Sequence, residues 1–339
     1  MKRILPFLVC SLFLTFAGCK QQSSEAKEKE KEKQSAPEAE VKPVEAPVGS
    51  SWGKPGVLYP VQKGGKYGYI DNTGKMVIEP IYYSATRFSD GMAMVVVEKS
   101  KDRFLVGYID NTGKMVVEPQ FEGGAPFFEG LAMIKKNKKA GVINTKGEIV
   151  IEPKFERIGR FHDGLAAAVI NRETKAGQSV SDGGYINTKG VFVIPPQFDP
   201  NLTPFVDGLA GVRRVGQLWS FIDRNEKTVI PPKYFMLGQF SDGLAAFMDG
   251  SSKWGYLDRS GQHVIPAKFN RAGLFGEGLA AVLPEQGKKW AFIDTKGNVV
   301  IRPQFDGTDA FRDGVAMVQV GEKIGYINPK GEYVWPLSQ

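Results

Sequence analysis

Histidine and cysteine are nearly missing from this chain, with two of each in 339 residues. So few leave almost no material for histidine-based acid–base catalysis or for a metal centre built on nitrogen and sulfur ligands. A long apolar run is missing too. The one hydrophobic stretch, residues 4–17, is broken by Pro6, Cys10, Ser11 and Thr15. It is too short to cross a bilayer as a mature helix. No Gly-x-Ser-x-Gly elbow and no phosphate-binding loop occurs. The 40 Gly and 21 Pro imply many turns without low complexity. What is present falls into three regions of different composition.

Residues 1–18 open with Met-Lys-Arg, a basic start to the short apolar run, and close on Phe16-Ala17-Gly18 before Cys19. This is the layout of an export signal. Small residues directly before a cysteine resemble a bacterial lipobox, in which the leader is cut and the cysteine carries lipid. Phe16 stands where that pattern usually has Leu. The alternative is an ordinary secretory leader with incidental cysteines.

Residues 19–55 read as the lipidated Cys19 followed by a tether. The segment after Cys19 holds seven Lys and seven Glu and has no aromatic residue before Trp52. It cannot bury enough apolar surface to offset its ordering entropy. As a flexible chain it would span roughly 35 Å. Lys20 after the cysteine, instead of Asp, resembles the pattern that sends lipoproteins to an outer membrane. The expected location is therefore exported and lipid-anchored to the cell envelope, at the outer membrane or cell surface. With Cys10 in the leader and Cys19 lipidated, no disulfide supports the rest, so its stability must come from its core. The formal charge of +7 becomes +5 once Lys2 and Arg3 leave with the leader.

Residues 56–339 are a repeat array. An aromatic or apolar strand runs into a turn eight times, as in Tyr67-Gly-Tyr-Ile-Asp-Asn-Thr-Gly74, Val106-Gly-Tyr-Ile-Asp-Asn-Thr-Gly113 and Trp254-Gly-Tyr-Leu-Asp-Arg-Ser-Gly261. The fifth copy has Asn225-Glu226-Lys227 where the others have the turn glycine. A β-branched strand ending in proline follows, such as Val77-Ile-Glu-Pro80. Two residues later comes an aromatic: Tyr82, Phe121, Phe155, Phe198, Tyr234, Phe269 and Phe305. Next is a loop Phe-x-acid-Gly, from Phe88-Ser-Asp-Gly91 to Phe311-Arg-Asp-Gly314, and a strand of small residues such as Leu244-Ala-Ala-Phe247. Gly91 to Gly314 covers 223 residues in six intervals. Turn chemistry makes the Asp/Asn-x-x-Gly pair a hairpin, and proline ends the ladder because it cannot donate.

This pattern resembles the bacterial WG (KWG) repeat family, best seen in Lys253-Trp254-Gly255-Tyr256. The resemblance spans about 280 residues in eight units. It implies a tandem β-repeat protein, often exported, and no particular activity or ligand.

The expected fold is all-β: eight three-stranded antiparallel units of small strand, aromatic strand and Pro-terminated strand. One such unit cannot bury its apolar face alone, so neighbours must stack. The repeated phenylalanines are the expected filler between units. A β-propeller-like ring and an open β-solenoid both satisfy this, and crowding around the small strand favours the ring.

The repeated groups read as structure. Asp71-Asn72-Thr73-Gly74 lacks the later glutamate of a calcium loop. The acids Asp90, Glu129, Asp163, Asp207, Asp242, Glu277 and Asp313 recur in every copy of the Phe-x-acid-Gly loop, whereas a glycosidase pair needs two unlike environments. His162 and His263 have no nucleophile pattern nearby, and each reads as a surface or packing residue. No catalytic residue, metal site or cofactor is expected. Variation concentrates in the hairpins between the small and aromatic strands. There the candidate binding rim is Lys135, Lys136, Lys138, Lys139, Arg213, Arg214, Lys288 and Lys289. Variable loops on a repeated scaffold are where binding sits. Their basic bias suits an anionic partner, a glycan or cell-wall polymer, or a protein, and not nucleic acid outside the cell. Lysines that merely keep the protein soluble are the plain alternative. The expected function is a non-enzymatic, surface-anchored scaffold. The alternatives are an envelope glycoside hydrolase on a propeller and a purely structural envelope protein.

Overall fold

The computed structural model describes residues 53–175 and 177–338. The leader, Cys19 and the tether up to residue 52 lie outside the described residues. Among the described residues all regular structure is β-strand. Each repeat makes one small antiparallel sheet, and eight sheets follow one another as the blades of an eight-bladed β-propeller. Blade 1 covers 59–82, blade 2 84–121, blade 3 123–155 and blade 4 157–198. Blades 5 to 8 cover 210–234, 236–269, 271–305 and 307–338.

Period-2 patterning orients the strands. In the Pro-terminated strand Met115–Phe121, Val117 and Phe121 are buried while Val116, Glu118 and Gln120 face solvent. Beside it, the aromatic strand carries a glycine where the two backbones come closest. A Cβ on Gly255 would stand 2.5 Å from the Ile265 carbonyl oxygen. The Gly of the Trp-Gly pair is therefore a close-approach residue at a bulge, where the register slips between Trp254↔Phe269 and Tyr256↔Ile265.

Six sheets have four strands, not the three that the repeat pattern implies. In blade 2 the extra strand is Ser84–Ala85, paired with Val96 and Val95. Blade 3 uses Gly123–Gly124, which carries no β-signal at all. The exposed edge of the small strand recruits whatever backbone passes it, because unpaired N–H and C=O groups are costly. In blade 5 the equivalent stretch contains Pro200 and Pro204, and the sheet stays three-stranded. The strand of small residues thus lies inside the sheet.

The core is a set of joints between blades. The phenylalanine of each Phe-x-acid-Gly loop packs on the aromatic strand of the blade before it. Tyr108 of blade 2 meets Phe127 of blade 3 at 4.9 Å between ring centroids, and Tyr256 of blade 6 meets Phe275 of blade 7 at 4.8 Å. Phe240, Phe275 and Phe311 are 1–2% exposed, as expected of inter-blade filler. Four of these joints add a tyrosine hydroxyl donating to the next blade's backbone, as from Tyr108 to Ala125 O at 3.0 Å.

The ring closes by the same means, without a covalent link. Tyr326 of blade 8 meets Tyr59 of blade 1 edge to face, 5.6 Å between ring centroids, and donates to Pro60 O at 2.7 Å. Val61, Ile70 and Val315 complete that cluster. Among the described residues blade 1 has no short first strand, and blades 2 and 8 meet across it. There Arg87 donates to Arg312 O at 3.1 Å and pairs with Asp309 at 3.5 Å. Its guanidinium lies 5.4 Å from the ring centre of Tyr326 and 5.9 Å from that of Tyr59. A cation over two aromatic faces binds the seam electrostatically as well as by packing.

Candidate functional site

Antiparallel order sorts the loops of every blade to two ends. One end collects the Phe-x-acid-Gly hairpins and the Asp/Asn-x-x-Gly turns. The other collects the variable hairpins between small and aromatic strands.

At the first end the repeated polar groups are committed to structure. The acid and the glycine of each Phe-x-acid-Gly hairpin both have positive φ, as in Asp90 at 52° and Gly91 at 75°. This is the two-residue turn whose twist suits a hairpin. The carboxylate then reaches to the following blade. Asp90 accepts from Gly130 N at 2.8 Å, Glu129 from Asp163 N at 2.6 Å and Gly164 N at 2.9 Å, and Asp242 from Gly278 N at 2.8 Å. Asp163 and Glu277 reach Gly208 N and Gly314 N in the same way, so these five acids are clasps between successive blades.

The Asp/Asn-x-x-Gly turns are equally self-contained. Asp110 Oδ1 accepts from Thr112 N, Thr112 Oγ1 and Lys114 N at 2.9, 2.6 and 3.1 Å. The Thr112 hydroxyl, followed by these amides, holds the Asp110 carboxyl below the usual carboxylate range. In blade 5, Glu226 takes the glycine's place at φ 62° and the turn persists. Asn144 and Asn187 make the same amide contacts without a charge.

One group at this end mixes ligand types. Glu129, His162 and Asp163 offer one atom each within 4.8 Å of one another. His162 Nδ1 stands 3.4 Å from Asp163 Oδ1. Both Glu129 oxygens already hold backbone amides, and Arg224 stands 3.7 Å from Asp163. The donor set is thus engaged in the joint between blades 3 and 4.

The variable end carries all eight candidate rim residues, on alternate blades. Lys135, Lys136, Lys138 and Lys139 belong to blade 3, Arg213 and Arg214 to blade 5, and Lys288 and Lys289 to blade 7. The fold does not gather them into one patch. It also neutralises several. Lys139 pairs with Glu156, Arg213 with Asp199, and Lys289 with Asp306 at 2.6 Å. Arg214 donates to Gln197 and lies over the Phe198 ring at 4.7 Å. Lys135, Lys136 and Lys138 are exposed, and neither they nor Lys288 has an ion-pair partner among the described residues. Sequence reading missed the pairing because each acid follows the Pro-strand aromatic, 14–17 residues from its base. The recurring signal was the residue right after that aromatic: Glu122, Glu156, Asp199 and Asp306.

The propeller is similar to solved structures of low identity, a likeness that shows the fold alone. Apo AztD from Citrobacter koseri superposes with a TM-score of 0.51 at 11% identity, covering 83% of this chain and 96% of that one. The computationally designed Ika8 protein gives 0.48 at 12% identity, over 85% and 98%. No curated protein matches the sequence. A family model described as WG containing repeat matches residues 67–99, 107–139, 141–172, 184–218, 219–251, 254–290 and 290–323. Its frame begins on the aromatic strand, so seven matches run through eight blades. These matches take in well over half of the sequence, and the chain belongs to the WG-repeat family.

Proposed function

We propose that this protein is a non-enzymatic binding scaffold, exported and held at the cell envelope by lipid on Cys19. The tether 20–55 sets the propeller off from the membrane, at the outer membrane or cell surface. The variable hairpins then present it to a protein or an anionic glycan. The observation that carries this reading is the division of labour between the two ends. Repeated polar groups at one end are engaged in blade-to-blade clasps and in self-contained turns, whereas the departures from the repeat collect in hairpins at the other. Binding on a rigid frame through variable loops needs that division. Catalysis would need unlike acids free in a cleft.

Cys19→Ser tests the anchor. It should abolish lipid labelling and release the protein from membranes, and full retention of the mutant on membranes overturns the anchoring. A pull-down of envelope fractions tests the scaffold. Capture that is lost when the variable hairpins are replaced by short Asn-Gly turns supports it. Turnover of an envelope glycan by the purified protein refutes the non-enzymatic reading.

A further inference from the structure

We propose that the variable hairpins of blades 1–3 form a binding site for an acidic glycan, with Tyr83 and Phe104 as the platform for a sugar ring. The proposal rests on the scaffold reading and names its ligand class.

The position just after the Pro-strand aromatic has a job in most blades. Glu122 accepts the amides of Asn137 and Lys138 at 3.1 and 2.9 Å, and Asn270 accepts from Lys253 at 2.9 Å. Glu156, Asp199 and Asp306 each neutralise a hairpin base. Blade 6 breaks this rule with Phe235, and blade 2 breaks it with Tyr83, which alone of the two stands against a second ring among the described residues. Its ring is 41% exposed and lies against Phe104 of the same blade, 4.2 Å between centroids and tilted by 42°. Lys66 of blade 1 brings its ammonium to 5.8 Å from the Tyr83 ring centre. The substitution has two consequences at once. It places an aromatic surface at the mouth of the hairpin, and it leaves no acid there: Lys66, 17 residues earlier as Lys139 is before Glu156 and Lys289 before Asp306, turns to the Tyr83 ring and to Glu98 instead.

The hairpin's own cations are Lys99, Lys101 and Arg103, all exposed and without an ion-pair partner among the described residues. Lys63 on blade 1 and Lys135 and Lys136 on blade 3 are in the same state. Three consecutive blades therefore present free positive charge around one aromatic pair, while on blades 5 and 7 Arg213 and Lys289 are paired.

An exposed ring backed by the half-buried Phe104, amid free cations, calls for a ligand with an apolar face and negative groups. The C–H face of a pyranose carries positive partial charge and packs on the negative face of an aromatic ring. Carboxylates or phosphates along the polymer meet the lysines, which raises the rate of encounter and makes binding salt-dependent. Two acids in the same hairpin favour a sugar over nucleic acid. Glu98 lies 3.9 Å from Lys66, and Asp102 stands at the exposed tip. They repel a chain with a phosphate at every residue, yet accept hydroxyl donors from a sugar.

The test is equilibrium binding of the full-length chain to polygalacturonate, with dextran as the neutral glycan and oligo-dT as the nucleic acid. Polygalacturonate should bind, and bind more weakly as salt rises. Dextran and oligo-dT should bind at least about tenfold more weakly. The double variant Tyr83→Ala/Phe104→Ala should lose about tenfold toward polygalacturonate, the loss expected of a stacked ring. Lys99→Glu/Lys101→Glu should abolish binding. Lys288→Glu on blade 7 should change it less than about twofold. All these side chains except the half-buried Phe104 are solvent-facing, and unchanged thermal unfolding is the check on folding. Binding by the wild type that ignores the blade 2 variants overturns this site and leaves the scaffold reading standing. Oligo-dT bound as tightly as polygalacturonate overturns the glycan assignment. If polygalacturonate is not bound at all while envelope proteins are still captured, the acidic-glycan site falls alone; if neither is bound, the scaffold reading falls with it.

Discussion

Two kinds of turn glycine look alike in the repeat and should behave differently. Gly130 and Gly147 both belong to blade 3, and both are left-handed, at φ 72° and 83°. A side chain at either meets the αL penalty, about 1–2 kcal/mol. Their surroundings differ. A Cβ on Gly130 would find nothing within 4 Å, whereas on Gly147 it would stand 2.8 Å from Val117 Cγ2 of blade 2. Val117 is 3% exposed and β-branched, so it has little freedom to turn away. Overpacking of that kind adds about 1–3 kcal/mol. Gly130→Ala should therefore cost about 1–2 kcal/mol and Gly147→Ala about 2–5. Urea titrations of both variants read the difference as a shift in midpoint at unchanged m. On a Val117→Ala background the excess at Gly147 should shrink, because the methyl that blocks the new Cβ is gone. Equal costs for the two variants, within about 0.5 kcal/mol, would refute the close packing of Gly147 on Val117 of the preceding blade.

Phe275→Ala should destabilise by about 3–5 kcal/mol, since the ring is buried between blades 6 and 7; a loss under about 1 kcal/mol would show that the joint does not depend on it. At the seam, Arg87→Met removes a charged hydrogen bond and the partner of Asp309, and should cost about 1.5–3 kcal/mol. Hydrogen exchange should then rise in blades 1, 2 and 8 together, and a change confined to blade 2 contradicts the closure described above. Deleting 323–339 should likewise expose residues 57–80 of blade 1; unchanged protection there is incompatible with a closed ring. His263 stacks on Phe247 at 4.1 Å and its Nε2 lies 3.2 Å from the Tyr234 hydroxyl. Desolvation, with Lys233 nearby, lowers its pKa in the folded state against the pull of Asp249. The unfolded chain thus binds the proton more readily, so this contribution is present above about pH 6.5 and is lost as pH falls through the folded pKa. His263→Gln should flatten the stability profile between pH 7.5 and 5, and an unchanged slope refutes the assignment. Asp110 and Asp258 are held below the usual carboxylate range by their turn donors, Thr112 and Ser260 first. Their contribution is present above the unfolded pKa and is lost as pH falls below about 4. Asp→Asn at both should leave stability at pH 7 nearly unchanged, as Asn144 and Asn187 imply, and should blunt acid unfolding; an undiminished acid transition tells against it.

Local rules alone carried the sequence a long way. Alternating apolar residues, a proline that cannot donate and the Asp/Asn-x-x-Gly turns mark the three long strands of every blade within a few residues. Phe240 and Phe275 could be assigned to the joints because an isolated meander cannot cover its own face. Those features depend on neighbours a few residues apart, where backbone sterics and period-2 patterning decide. Other features have no local signature. Gly123–Gly124 became a strand only because the edge of Leu131–Lys136 lay open beside it. Asp90 reads as a turn residue, and its carboxylate reaches Gly130, 40 positions away, only once blades 2 and 3 are side by side. Lys289 and Lys135 are equivalent in a charge count, yet Asp306 neutralises one while the other stays free. Ring or open array turns on the angle between successive blades. That angle is summed over eight joints of side-chain packing and then checked by a single contact. Tyr326 and Pro60, 266 residues apart, meet only if the sum closes, and no stretch of sequence encodes that sum.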